Sequence, residues 1–259
     1  MSALLSQLAG NQLGGFILVL ARVTPLFLLA PLFSSSLIPG RVKGLVAVGI
    51  SIGLTPVAMH GQHIPSDPLQ VGGLVIEGGL VGLAFAVALG VLMAAVESAG
   101  SLIDVVAGFS YGSLIDAVSN DASAVISRFY SLFGTLVFLV IGGDAWTLRG
   151  LGRTFELVPL TQGPRLGSLV GGTERAFATI FSSALEIAAP VLAALLITDV
   201  AFGIVSRVVP QMNVFAVGFP TKVAVALLVV GASLPFVSGW IAGQLTESVG
   251  AAVGALHVG

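Results

Sequence analysis

Five charged side chains lie inside otherwise apolar runs of this 259-residue chain: Arg22, Glu77, Glu186, Asp199 and Lys222. An acidic group at mid-bilayer costs about 2.5–3.5 kcal/mol on insertion scales, so such residues normally face a bundle interior or water. Two chemistries are open to them, a pathway for protons or solutes and the pairing of charges that packs a complex. A proton-coupled secondary transporter would use Glu77 or Asp199, since broken helices with midplane acids form ion sites. The chain shows no convincing internal repeat, which weakens that alternative.

Other constellations carry less. "GFSYG" (108–112) has the spacing of a serine-hydrolase nucleophile elbow. An elbow needs a strand before it, a helix after it, and His and acid partners; the flanks here read as helix or irregular loop. His60, His63 and Asp67 could form a metal cluster, although in a Pro-rich connection they are more often plain loop residues. The sequence contains no Walker A motif, GxGxxG or HExxH, so neither nucleotide binding nor zinc hydrolysis is indicated, and no cofactor or metal is expected. With no cysteine there are no disulfides or thiolate sites.

These residues must be positioned by an unusually apolar framework. Hydrophobic residues make up 56% and charged residues 8%, against roughly 25% charged in an ordinary soluble domain, and the mean hydropathy is +1.08. The chain is therefore an integral membrane protein or the buried heart of a membrane assembly. A net charge of -2 without a basic patch argues against nucleic acid. No low-complexity linker divides residues 1–259, so one domain is expected. The first cation is Arg22, and no cleaved signal peptide is expected.

A spanning helix needs about 20 mostly apolar residues. Six stretches qualify, at roughly 12–33, 42–59, 71–96, 125–142, 176–205 and 213–240, which predicts an all-α fold. Pro25, Pro31, Pro190 and Pro235 interrupt them. Lipid tolerates such breaks only where neighbouring protein satisfies the freed backbone groups. Glycines four residues apart, Gly78/Gly82, Gly108/Gly112, Gly239/Gly243 and Gly250/Gly254, permit close helix approach.

Charge placement conflicts with six simple crossings. Arg41 and Lys43 mark the first connection as cytoplasmic, and the cation-free "HGQHIPSDPLQ" reads as external. By parity 97–124 should then be cytoplasmic, yet it holds Glu97, Asp104, Asp116 and Asp121 and no cation. Arg149, Arg153, Arg165 and Arg175 fall outside. Either one stretch does not cross, or these are not ordinary lipid-facing spans. The segment 100–124 is too polar to span and too apolar for a free loop. Backbone of that kind survives at membrane depth when buried in protein or lining a water-filled cavity; a plug and an amphipathic interfacial connector both fit.

Five blocks taken together resemble one family: "ARVTPLFLLAPLFSSSLIPGRVKGLVAVGIS" (21–51), "ESAGSLIDVVAGFSYGSLID" (97–116), "RFYSLFGTLVFLVIGG" (128–143), "PVLAALLITDVAFGIVSRVVPQMNVFAVGFPTK" (190–222) and the last apolar run. They are similar to the FliR family of flagellar biosynthetic proteins and its injectisome counterparts in type III secretion. "QMNVFAVGFPTK" leans flagellar. The resemblance implies helical hairpins that join FliP-like and FliQ-like subunits in a helical export gate in the bacterial inner membrane, at the flagellar basal body, beside a large FlhB-like platform protein. It also implies a non-enzymatic pore for unfolded substrates, plugged by a loop near 106–122 that carries Phe109, Tyr111, Ser113, Leu114 and Asp116. One departure is that Ala117 follows Asp116 where the family would carry Asp-Pro.

Within the fourth block the resemblance makes Arg207, Pro210, Gln211, Asn213, Phe215, Gly218, Pro220 and Lys222 the helix-turn and assembly signature. Its local chemistry predicts a turn between two long helices. Pro210 drives Val209 out of the helical region, and Asn213 can cap the helix that follows. Arg207 meets the negative end of the helix before it, and Lys222 snorkels or pairs.

Overall fold

Prolines and glycines set most of the helix ends. The computed structural model describes residues 2–35, 38–65, 67–109, 124–211 and 213–255, and among these every regular element is a helix. Helix α1 (Ser2–Val23) yields at Pro25 to the single turn α2 (Leu26–Leu29), and α3 (Gly40–Ala58) begins directly after Pro39. Helix α4 (Pro68–Ala107) has proline at its first position, where the missing N–H is not needed. Asp67 supplies the cap, accepting from Leu69 N–H at 3.1 Å. That accounts for Asp67 without a metal, and no metal-holding group of His, Asp and Glu occurs among the described residues.

The apolar stretch expected to end near residue 96 continues as helix to Ala107, so the first part of the 100–124 segment is helical rather than broken. Gly108 then closes the helix with φ +92°. The Phe109 N–H reaches Asp104 O at 3.0 Å and the Gly108 N–H reaches Val105 O at 3.3 Å, the paired bonds of a left-handed glycine stop. Gly108 is therefore a turn residue, and Gly112, its expected packing partner, lies outside the described residues. Helix before "GFSYG" also removes the strand that a nucleophile elbow requires.

Helix α5 (Val125–Val140) is followed, across Gly142 at φ +72°, by α6 (Gly143–Leu157), bent 70° from it. Two long helices complete the chain, α7 (Leu166–Val208) and α8 (Val214–Ala255). Each overruns its apolar stretch, α7 by starting near 166 and α8 by continuing to 255. Among the described residues, five helical stretches are long and apolar enough to cross a membrane, or six if the bent α5–α6 pair counts as one.

At about 1.5 Å per residue, the 40, 43 and 42 residues of α4, α7 and α8 reach roughly 60 Å, twice the ~30 Å hydrocarbon core. Large apolar side chains stay exposed along α7 and α8, among them Phe181, Ile197, Val200, Phe215 and Leu228. A helix that is apolar all round belongs in lipid or against other protein.

The chain forms two compact units. One comprises Met1–Val91, Phe138–Phe177 and Gln244–Gly259. Its core holds Leu18, Val19, Val23, Phe85, Leu89 and Leu151, with α3 packed on α1 and α6. A side chain at Gly82 would run into the backbone carbonyl of Arg22, and one at Gly78 would lie 3.6 Å from Leu18 O. That glycine pair thus serves the α1–α4 contact. The other unit, Leu92–Val137 and Ala178–Gly243, buries Val96, Ile103, Tyr130, Ile187, Leu195 and Val237. Gly239 and Gly243 face open space there.

Candidate functional site

Two arrangements bring polar groups together. The first lies at the feet of the 108–124 connection. Asp104, 2% exposed, stands in the last turn of α4. The Ile126 N–H donates to its Oδ1 and the Ser127 N–H to its Oδ2, each at 2.9 Å. These are two of the N-terminal donors of α5 that no helical carbonyl can satisfy, and the residue before the helix, Ala124, has no side chain to cap them. Ser127 Oγ adds a bond to Glu97 O at 3.1 Å. The approach is close because position 100 is glycine, where a side chain would collide with the Ser127 backbone. Of the proposed plug residues, Phe109 is half-buried directly after the glycine stop. Tyr111, Ser113, Leu114 and Asp116 lie outside the described residues.

The second is the α7–α8 turn. Helix α7 ends at Val208, with exposed Arg207 in its last turn, and Pro210 and Gln211 are exposed in the turn itself. The Ala216 N–H donates to Asn213 Oδ1 at 3.1 Å, so Asn213 caps α8. Phe215 stacks on Phe219 at 6.3 Å between ring centroids and is 80% exposed. Gly218 is buried against Phe202, and Pro220 is exposed inside α8. One turn further, Lys222 Nζ meets both carboxylate oxygens of Asp199, at 2.8 and 2.9 Å. Lys222 therefore pairs, and Asp199 has its counter-charge.

The remaining charges inside apolar runs are not brought together, and of the four expected to be buried only Arg22 is: Glu77 is half-buried, and Glu186 and Asp199 are exposed on the chain's surface. Arg22 is 1% exposed and pairs with no carboxylate among the described residues. Its Nη1 donates to Thr154 O at 3.0 Å and Val158 O at 2.7 Å, and its guanidinium lies 4.6 Å from the Phe155 ring centroid. It thus meets the carbonyl end of α6, where orphan acceptors and the helix dipole both favour a cation. Glu77 is half-buried with its carboxylate over Gly163. Glu186 Oε2 accepts from Trp240 Nε1 at 3.2 Å, at the rim of a cavity of 520 Å³ between α7 and α8.

Sequence reasoning missed Asp104 as a cap and Trp240 as a partner. A helix start with only alanine before it, following an acid-bearing segment, was the available signal for the first. Nothing local signals the second.

Comparison with known proteins gives one consistent result. The family described as "Bacterial export proteins, family 1" matches residues 13–248. The chain is 28% identical over 230 residues to the flagellar biosynthetic protein FliR of Pectobacterium carotovorum subsp. carotovorum, covering 88% of this chain and 87% of the relative. It is 32% identical over 231 residues to the FliR of Bacillus subtilis strain 168, covering 86% and 87%. It is 26% identical over 211 residues to the surface presentation of antigens protein SpaR of Salmonella typhimurium, covering 81% and 78%.

Proposed function

This chain belongs to the bacterial export proteins, family 1, and from that premise we propose that it is a non-enzymatic, pore-forming subunit of a type III export gate that passes unfolded substrates across the inner membrane. That it is a multi-pass membrane subunit of a type III export apparatus follows from the family, the FliR and SpaR relatives and the apolar helices. The finer reading treats residues 1–259 as one gate subunit joined to FliP-like and FliQ-like chains and an FlhB-like platform protein. The observation that carries it is the length of α4, α7 and α8, about twice the hydrocarbon thickness, with large apolar side chains such as Phe181, Ile197, Phe215 and Leu228 exposed along α7 and α8. Lipid alone cannot cover such helices; partner helices can.

In this reading the loop near 106–122 closes the channel. Its support is the Asp104 cap, which ties the start of the connection to its end and lets bulky residues between act as a constriction. Bulky apolar side chains hold a pore shut by dewetting as well as by steric block. Passing a chain then needs displacement of the loop and no bond chemistry, so energy comes from other components. The secondary-transporter alternative has less to stand on, because Asp199 is already paired with Lys222.

The test is deletion of residues 110–116 in the assembled complex. Ion conductance of membranes carrying the deletion in an export-inactive strain is expected to rise; conductance equal to that of the intact complex would refute the plug role.

A further inference from the structure

The cavity between α7 and α8 combines an apolar lining with a carboxylate and an in-helix proline. Pro190, Val229, Ala232 and Phe236 line it, with the Glu186 carboxylate and Ser233 as its polar groups. Pro190 and Pro235 stand inside the two helices. A proline lacks the N–H that would pair with the carbonyl four residues earlier, so the carbonyls of Glu186 and Gly231 lose their helical donors beside this cavity. The Ser233 hydroxyl is committed to its own helix, donating to Val230 O at 2.9 Å. Acceptor oxygens therefore outnumber donors. A carboxylate offers about four acceptor positions, and among the described residues Glu186 receives one neutral donor, Trp240 Nε1, and no cation.

We propose that this cavity receives a lysine or arginine side chain from a membrane helix of a partner subunit, its stem along Val229, Ala232 and Phe236 and its cationic head on Glu186. The proposal rests on the reading of the chain as part of a hetero-oligomeric gate. Charge complementarity selects the occupant's sign, and size selects its class. A volume of 520 Å³ is on the order of seventeen times the ~30 Å³ liquid share of one water. A bare inorganic cation would leave it almost empty, whereas a long side chain carried on a helix brings its stem and the neighbouring helix face into the space. Position selects protein over lipid. Glu186 stands near the middle of the apolar stretch Leu169–Val208. A partner helix packed along α7 can present a cation at any height on it, whereas lipid headgroups lie only at the two edges of the hydrocarbon core.

The experiment uses the full chain, affinity-tagged, co-expressed with its partner subunits. Glu186→Gln is expected to lower recovery of the complex at least about tenfold, as loss of one member of a desolvated charge pair does. Trp240→Phe, which removes only a neutral donor, should stay within about threefold. Glu186→Lys should be rescued by a Lys→Glu or Arg→Glu change in a partner's membrane helix. With Glu186 intact, Ala232→Cys should form a disulfide with a cysteine placed beside that partner cation, a readout that holds even if the charge variants accumulate poorly. Wild-type recovery for Glu186→Gln, absence of the disulfide, or rescue confined to this chain overturns the proposal. So does a wild-type complex that falls to the Glu186→Gln level when amine-headgroup lipids are removed, which would assign the cation to lipid. A wild-type chain that recovers no partner sinks the gate reading as well, whereas normal wild-type assembly with an indifferent Glu186→Gln sinks this proposal alone.

Discussion

Asp104 in the last turn of α4 accepts the backbone N–H of Ser127, 23 positions later in the sequence, at 2.9 Å. With the matching bond from Ile126 N–H, one buried carboxylate caps a helix that cannot cap itself, and so fixes where the intervening connection must start and finish.

Replacing Asp104 by alanine leaves two buried donors unsatisfied. Each such group costs about 1–3 kcal/mol, so Asp104→Ala should destabilise the unit by several kcal/mol. Asp104→Asn keeps one acceptor and should lose about half as much. Thermal denaturation of the purified complex reads both. Equal melting of wild type and Asp104→Ala would show that the cap contributes nothing.

The bidentate contact between Lys222 and Asp199 joins α7 to α8 just below their turn. The side chains are 20% and 45% exposed. At an aqueous surface such a pair is worth about 0–1 kcal/mol, but an unpaired acid carried into the bilayer costs about 2.5–3.5 kcal/mol. Lys222→Met should therefore reduce the amount of chain in membranes more than the double replacement Asp199→Asn with Lys222→Met, which leaves no charge behind. Quantitative immunoblotting of membrane fractions decides this; a double variant as poor as the single one argues that the pairing is incidental.

Helix α5 has 16 residues, about 24 Å at the helical rise, and bends 70° into α6. If that pair does not carry the chain across, five crossings put Arg165 on the side of Arg41 and Lys43. The cation bias that six crossings violated is then restored for the 143–165 connection. The chain has no cysteine, so single replacements can be labelled cleanly. Cysteines at positions 41 and 165 are expected to react from one face of the membrane and one at 63 from the other. Labelling of 165 together with 63 would restore six-span alternation.

Local chemistry made much of this protein legible in its sequence. Composition and six apolar stretches of spanning length determined an all-helical membrane class, because a run of about 20 mostly apolar residues suits a helix that bonds its own backbone and lacks the alternation of a barrel strand. The turn after Val208 and the Asn213 cap were readable from Pro210 and its neighbours, since proline geometry and capping act within a few residues. The extent of α4 was less so: Ser and Asp between 97 and 107 read as irregular because their polarity masked a helix whose serine and aspartate bond across to α5. Only the tertiary structure assigned Arg22 to carbonyls 132 and 136 positions away, Glu186 to Trp240 at a separation of 54, and Gly82 to the Arg22 backbone. The physical reason is common to all three. Helices apolar on every side carry no angular hydrophobic signal, so the face that meets a neighbour is decided by packing, by which small residues let backbones approach, and by which buried polar group finds a partner.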